Sequence, residues 1–160
     1  MYKKEITYTD YAGVEHKNEP VYFNISKSEL AKMELYTPGG FEGYVRKMIE
    51  TTDVPELAKL LERFILMSYG EKSADNKSFI KNVQPGEEIG ELAKKFRETA
   101  AYDAFFIDLI TDDENGKTAT QKISEFINSV VPDDVAKAAE SEEVQSKVVE
   151  LKDKYGLDDK

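Results

Sequence analysis

Apolar and polar residues change rhythm several times along the chain, and each rhythm predicts an element. Over residues 3–25 they alternate. Ile6 and Tyr8 are interleaved with Thr7 and Thr9, Asp10 leads into a Tyr11-Ala12-Gly13 turn, and Val21, Phe23 and Ile25 share one face of the return arm. A period of two marks a strand with one buried face, so this segment reads as a β-hairpin. Pro20 has no backbone donor and predicts an edge or a kink in the return arm.

From residue 26 the period lengthens to that of a helix. Ser26 and Glu29 have the spacing of a capping box, in which each side chain satisfies the other's backbone amide. The short helix behind them carries Leu30 and Met33, with Leu35 as a third candidate, until Thr37-Pro38-Gly39-Gly40 breaks it. A second helix is expected from about Phe41 to Thr51, with Phe41, Val45, Met48 and Ile49 on one face. A third opens at Asp53-Val54-Pro55-Glu56 and carries Leu57, Leu60, Leu61, Phe64, Ile65, Leu66 and Met67. Its end is apolar almost all round, which predicts the central buried helix, and Gly70 is expected to stop it in a left-handed conformation. Residues 70–86 are polar and read as a loop or a small hairpin anchored by Phe79 and Ile80.

Two further helices are predicted, over about 87–98 with Ile89, Leu92, Ala93 and Phe96, and after Thr99 with Tyr102, Phe105, Phe106, Leu109 and Ile110. Asp112 to Gly116 is a polar turn. Thr118 and Gln121 form a second capping-box pattern, and Ile123, Phe126, Ile127, Val130 and Val131 are the cleanest helical stripe in the chain, ended by Pro132. Residues 133–160 are different, with 9 acids, 5 bases and no Phe. Ser141 suits an N-cap, and Val144, Val148, Leu151 and Tyr155 make a narrow stripe that needs a partner surface, in cis or in trans. The pattern as a whole predicts an α+β fold, mainly α. An N-terminal β-hairpin (3–25) packs on a bundle of about five or six helices (26–132), and a partly flexible acidic tail with a short amphipathic helix follows (133–160).

Composition narrows the function. The chain has 160 residues, enough for one domain with a sizeable core, and a net charge of -10, most of it in the second half. Nucleic acid is a poor partner for such a surface, because phosphate binding needs clustered Lys and Arg. There is no Cys and one His, which excludes disulfides, thiolate or multi-His metal sites, cysteine nucleophiles and most Ser–His catalysis within one chain. No apolar run is long enough to span a membrane and the start lacks the apolar core of a signal peptide, so the chain reads as soluble and cytoplasmic.

The chemistry searched for is mostly missing. Asp112-Asp113-Glu114-Asn115-Gly116 imitates a calcium loop, but Thr111 stands where the first Asp belongs and Lys122 where a bidentate Glu is required. It reads as an acidic turn. The glycines of Gly39-Gly40-x-x-Gly43 and Gly86-x-x-x-Gly90 match no phosphate-binding fingerprint. No catalytic residue, cofactor or metal is assigned. The remaining signals are aromatic and apolar. Tyr102, Phe105 and Phe106 are core or a partner groove, and Val144, Val148, Leu151 and Tyr155 are candidates for docking in trans.

Several segments taken in order carry a resemblance. They are Ile6-Thr7-Tyr8-Thr9-Asp10, Tyr22-Phe23-Asn24-Ile25-Ser26-Lys27-Ser28-Glu29-Leu30, and Ile65-Leu66-Met67-Ser68-Tyr69-Gly70-Glu71-Lys72-Ser73 running on through Asn76-Lys77-Ser78-Phe79-Ile80-Lys81-Asn82, then Thr99-Ala100-Ala101-Tyr102 and Leu109-Ile110-Thr111-Asp112. Over roughly residues 3–132 the chain resembles the tail assembly chaperones of long-tailed (siphovirus-type) phages and prophages of Gram-positive bacteria, with the tail beyond 132 outside the resemblance. The resemblance implies a non-enzymatic protein of the host cytoplasm, absent from the mature virion. Such a protein coats and solubilises the tape measure protein and helps to recruit the tail tube protein. It also implies a frameshifted longer form of the same protein as a partner, and weak homo-oligomerisation. The competing reading is a structural virion protein such as a tail tube or tail completion subunit. A tube subunit needs long strands, and strand patterns here cover only the first 25 or so residues.

Overall fold

A computed structural model of the chain describes residues 1–50 and 54–131. The order is β1 (Tyr2–Thr9), β2 (Glu15–Phe23), α1 (Lys27–Tyr36), α2 (Gly40–Glu50), α3 (Val54–Ser68), β3 (Tyr69–Lys72), β4 (Phe79–Ile80), α4 (Glu91–Arg97), α5 (Ala100–Leu109) and α6 (Ala119–Val130). The α+β class follows, and the predicted hairpin is present, but it forms half of an antiparallel four-stranded sheet in the order β1-β2-β3-β4. The 70–86 segment is the second hairpin, β3 pairing with β2 at Tyr22–Gly70 and Phe23–Tyr69 and with β4 at Glu71–Ile80 and Lys72–Phe79.

One face of the sheet is covered by helices, and Phe23 lies at the centre of the join. Its ring is stacked on Phe105 at 4.5 Å and meets Phe126, Tyr69 and Phe96 edge-on at 5.3, 5.7 and 6.2 Å. Phe126 in turn meets Tyr2, Phe64 and Phe105, so sheet, α3, α5 and α6 share one aromatic cluster. Leu60, Leu61, Phe64, Ile65, Leu66 and Met67 are all buried, and α3 is the central helix its apolar end predicts. Both capping boxes form, Ser26 with Glu29 and Thr118 with Gln121, and the α6 stripe Ile123, Phe126, Ile127, Val130 and Val131 is buried throughout. The predicted side chains Val45, Met48, Ile49 and Leu57, and the whole of Thr51, Asp53, Pro132 and the 133–160 tail, lie outside the described residues.

Three expectations are corrected. Gly70 does not stop α3 in a left-handed turn; the helix runs straight into β3, and Gly70 is needed because an added Cβ would lie 2.5 Å from the Phe79 ring and 2.9 Å from the Ile80 carbonyl oxygen. The helix expected over 87–98 begins only at Glu91. Gly86 has φ +83°, and the amides of Glu91 and Leu92 donate to the carbonyls of Asn82 and Lys81, so the start of α4 is capped by the chain leaving β4. Leu35 is 78% exposed. Five residues beyond Leu30, it lies about 140° round the helix from the side that packs.

Pro20 sits in β2 opposite Glu5 of β1, where β2 has no β3 partner on its other edge. The predicted edge is therefore a local one inside the sheet.

Candidate partner-binding surfaces

Beyond the Tyr22–Gly70 pair, β2 and β3 diverge, and the wedge between them opens into a cleft of about 540 Å³. Pro20 and Val21 form one wall, Glu71 and Lys72 the other, and Phe96 and Leu92 of α4 close its base. Tyr69 lies flat on Phe96, with ring centroids 4.0 Å apart and planes within 2°. Burial, with Glu71, Glu19 and Tyr8 nearby, pushes the Tyr69 hydroxyl up to about 12, so it stays protonated and can donate. The Lys72 ammonium stands over the Tyr22 ring at 4.6 Å. The arrangement is an amphipathic slot between strands, apolar at the base and charged at the rim. Pro20 was the one sequence signal for it.

The predicted aromatic triplet on α5 divides. Phe105 is 1% exposed and Tyr102 7% exposed, and both belong to the core. Thr99 caps this helix by accepting the Tyr102 amide at 3.3 Å, and the Tyr102 hydroxyl donates to Glu62 Oε1 at 2.9 Å, the same oxygen that accepts from Arg97 Nε at 2.9 Å. Burial first, then this hydrogen bond, pushes the Tyr102 hydroxyl well above its usual range and keeps it a donor. Phe106 is half-buried against Tyr102 at 6.0 Å, and beside it Ile107 is exposed. Of the three, Phe106 keeps accessible surface. Val144, Val148, Leu151 and Tyr155 lie outside the described residues.

The calcium-like turn is held by its own acids. Asp113 Oδ1 accepts the amides of Asn115 and Lys117 at 2.9 Å, and Asp112 Oδ1 accepts the Ala119 amide at 2.6 Å. Lys122, in the position of the required bidentate ligand, is buried and donates to the Asp108 carbonyl at 2.8 Å. Among the described residues no group of three or more metal-ligating side chains comes together, and no helix is long and apolar enough to cross a membrane.

The family described as "Phage tail assembly chaperone" matches residues 1–159. The chain belongs to the phage tail assembly chaperone family. No curated protein and no solved structure matches it. The match takes in the acidic tail, which the resemblance drawn from ordered segments leaves outside. Tail assembly chaperones are not an enzyme family, and membership implies interaction with phage tail proteins. Among the described residues, the candidate surfaces for another polypeptide in this family member are the β2–β3 cleft and the Phe106–Ile107 shoulder of α5.

Proposed function

We propose that this chain is a non-catalytic chaperone that binds the tape measure protein of a long-tailed phage, keeps it soluble in the host cytoplasm, and promotes assembly of the tail tube around it without entering the mature virion. The observation that carries the reading is the family match across residues 1–159. An acidic exterior and narrow apolar surfaces support it, since a long helical client needs solubility from its partner and shallow contacts along its length. The contacts with the client fall to Phe106, with Tyr102 packed against it and Phe105 anchoring the same helix in the core, and to Val144, Val148, Leu151 and Tyr155 of the tail. The tail tube protein, a frameshifted longer form of the chain and weak self-association complete the set of partners.

The test is co-expression of the full chain with the tape measure protein of the same gene cluster. A soluble complex is expected, and Val148→Asp with Leu151→Asp is expected to lower recovery of the tape measure protein at least tenfold, about 1.4 kcal/mol of lost binding. Neither complex nor improved solubility with the unaltered chain overturns the proposal. Recovery of this chain from purified virions would replace it with a structural role in the tail.

A further inference from the structure

The inner face of the β1–β2 hairpin changes character along its length. Val21 and Phe23 are buried at one end, and toward the turn the same face carries Tyr8, His16 and Glu19. In an unbroken strand His16 and Glu19, three residues apart, would point to opposite faces. The register slips between them: Glu19 faces Ile6 and His16 faces Tyr8, so Lys17 and Asn18 together oppose Thr7. Asn18 has φ +51° and its amide donates to Thr7 Oγ1 at 3.1 Å. This bulge resets the alternation and places both side chains on one face.

His16 is held from both sides as a result. Its Nε2 lies 2.8 Å from Asp10 Oδ2 and its Nδ1 2.9 Å from Glu19 Oε2. Tyr8 stacks on the imidazole at 4.7 Å and donates its hydroxyl to Glu19 Oε1 at 2.8 Å. Asp10 Oδ1 accepts the amides of Ala12 and Val14, both at 2.9 Å, and so fixes the turn. A neutral imidazole has one N–H and one lone pair. With a carboxylate oxygen at each nitrogen, the imidazolium alone satisfies both.

We propose that the end of this hairpin is a protonation-gated clasp: imidazolium His16 ties Asp10 to Glu19 and holds the turn shut, and loss of one ring proton frees one carboxylate and lets the turn that carries exposed Tyr11 and Val14 open.

The direction of the effect follows from the neighbours. The Asp10 hydrogen bond first, with Glu19 adding to it, holds His16 above the ordinary 6.5, and the His16 hydrogen bond first holds Asp10 below the ordinary 3.8. A histidine raised in the folded state contributes stability that is complete below 6.5 and lost as pH rises through its folded value. An aspartate lowered in the folded state contributes stability present above 3.8 and lost as pH falls through its folded value. The clasp is therefore tight between these limits and slackens on the alkaline side. The other charged or titratable groups nearby are Glu15 and Lys17, paired with each other at 3.2 Å on β2, and Tyr69, Glu71 and Lys72 of β3 and Lys95 of α4, which line the cleft shared with Tyr8 and Glu19.

His16 is the one histidine of the chain, so its ring signals stand alone in an NMR titration of the full-length protein. A midpoint above 6.5 is expected. Exchange of the Ala12 and Val14 amides, corrected for its intrinsic pH dependence, is expected to step up through the same midpoint. Each unit by which the midpoint is raised corresponds to about a tenfold step in opening. Asp10→Asn and Glu19→Gln should each draw the midpoint back toward the ordinary value, and His16→Gln should abolish the step. A midpoint at or below the ordinary value, or exchange that climbs without a step, overturns the proposal, and the unaltered chain alone decides this if a variant fails to fold.

Discussion

Glu29 does two things with one carboxylate. It accepts the Ser26 amide at 2.9 Å, closing the capping box at the start of α1, and it accepts Lys81 Nζ at 2.9 and 2.7 Å. Lys81 is 8% exposed and also donates to the Met67 carbonyl, so a short helix of the surface is pinned to the end of the central one. The two charges are not equivalent. Glu29 keeps about a third of its side chain in water, whereas Lys81 has almost none. Removing the acid strands a buried ammonium, and removing the base leaves a carboxylate that water can solvate. Glu29→Ala is expected to cost about 3 kcal/mol in denaturant unfolding, and Lys81→Met about 1. Burial already holds Lys81 below its usual range, so in Glu29→Ala the unfolded state binds more protons than the folded one at alkaline pH. The deficit relative to the unaltered chain should therefore narrow as pH rises from about 7 to about 9. Equal costs for the two variants would show that the pair is no more than a surface contact.

The elements that local signals encode appear where those signals are. Ser26/Glu29 and Thr118/Gln121 start their helices, the helical stripe ending at Val131 is kept, and the 2-residue alternation of the hairpin is kept on either side of the Lys17-Asn18 bulge. The second hairpin was legible as little more than a polar stretch with an apolar anchor. β3 is four residues long, too short for a period, and its pairing with β2 bridges residues about fifty positions apart. Gly70 is the residue on which that pairing depends. Gly70→Val drives a branched side chain into Phe79 and the Ile80 backbone, and the backbone cannot move aside as a flexible side chain would. Loss of amide protection at Glu71, Lys72 and Ile80 is expected, with β1 and the early part of β2 still protected. Unchanged protection in β3 and β4 would show that Phe79 can swing away.

For the whole molecule, the aromatic cluster joins sheet and helices into one core, and the tail's contribution to that core is open to measurement. If the 133–160 stripe serves a partner in trans, Val148→Asp with Leu151→Asp should leave the denaturation midpoint of the chain within about 0.5 kcal/mol of the original while weakening client binding. A loss of several kcal/mol would instead place the stripe on the chain's own helices. The candidate surface was only partly readable beforehand. Tyr102, Phe105 and Phe106 were picked out because aromatics favour both cores and interfaces, and sequence carries no term that separates the two; burial assigns Tyr102 and Phe105 to the core and leaves Phe106 at the surface.

Periodicity, capping residues and composition are local or additive properties, and they determined the α+β class, the hairpin, the central helix and the acidic composition, while the order of particular residue segments carried the resemblance to tail assembly chaperones. Tertiary structure decided the rest, because it depends on which residues far apart in sequence share a volume. The β2–β3 wedge exists because two strands pair for two residues and then part. The pinning of Glu29 by Lys81 joins residues 52 positions apart. The clasp on His16 depends on a single extra residue in β2, which turns two side chains from opposite faces onto the same one.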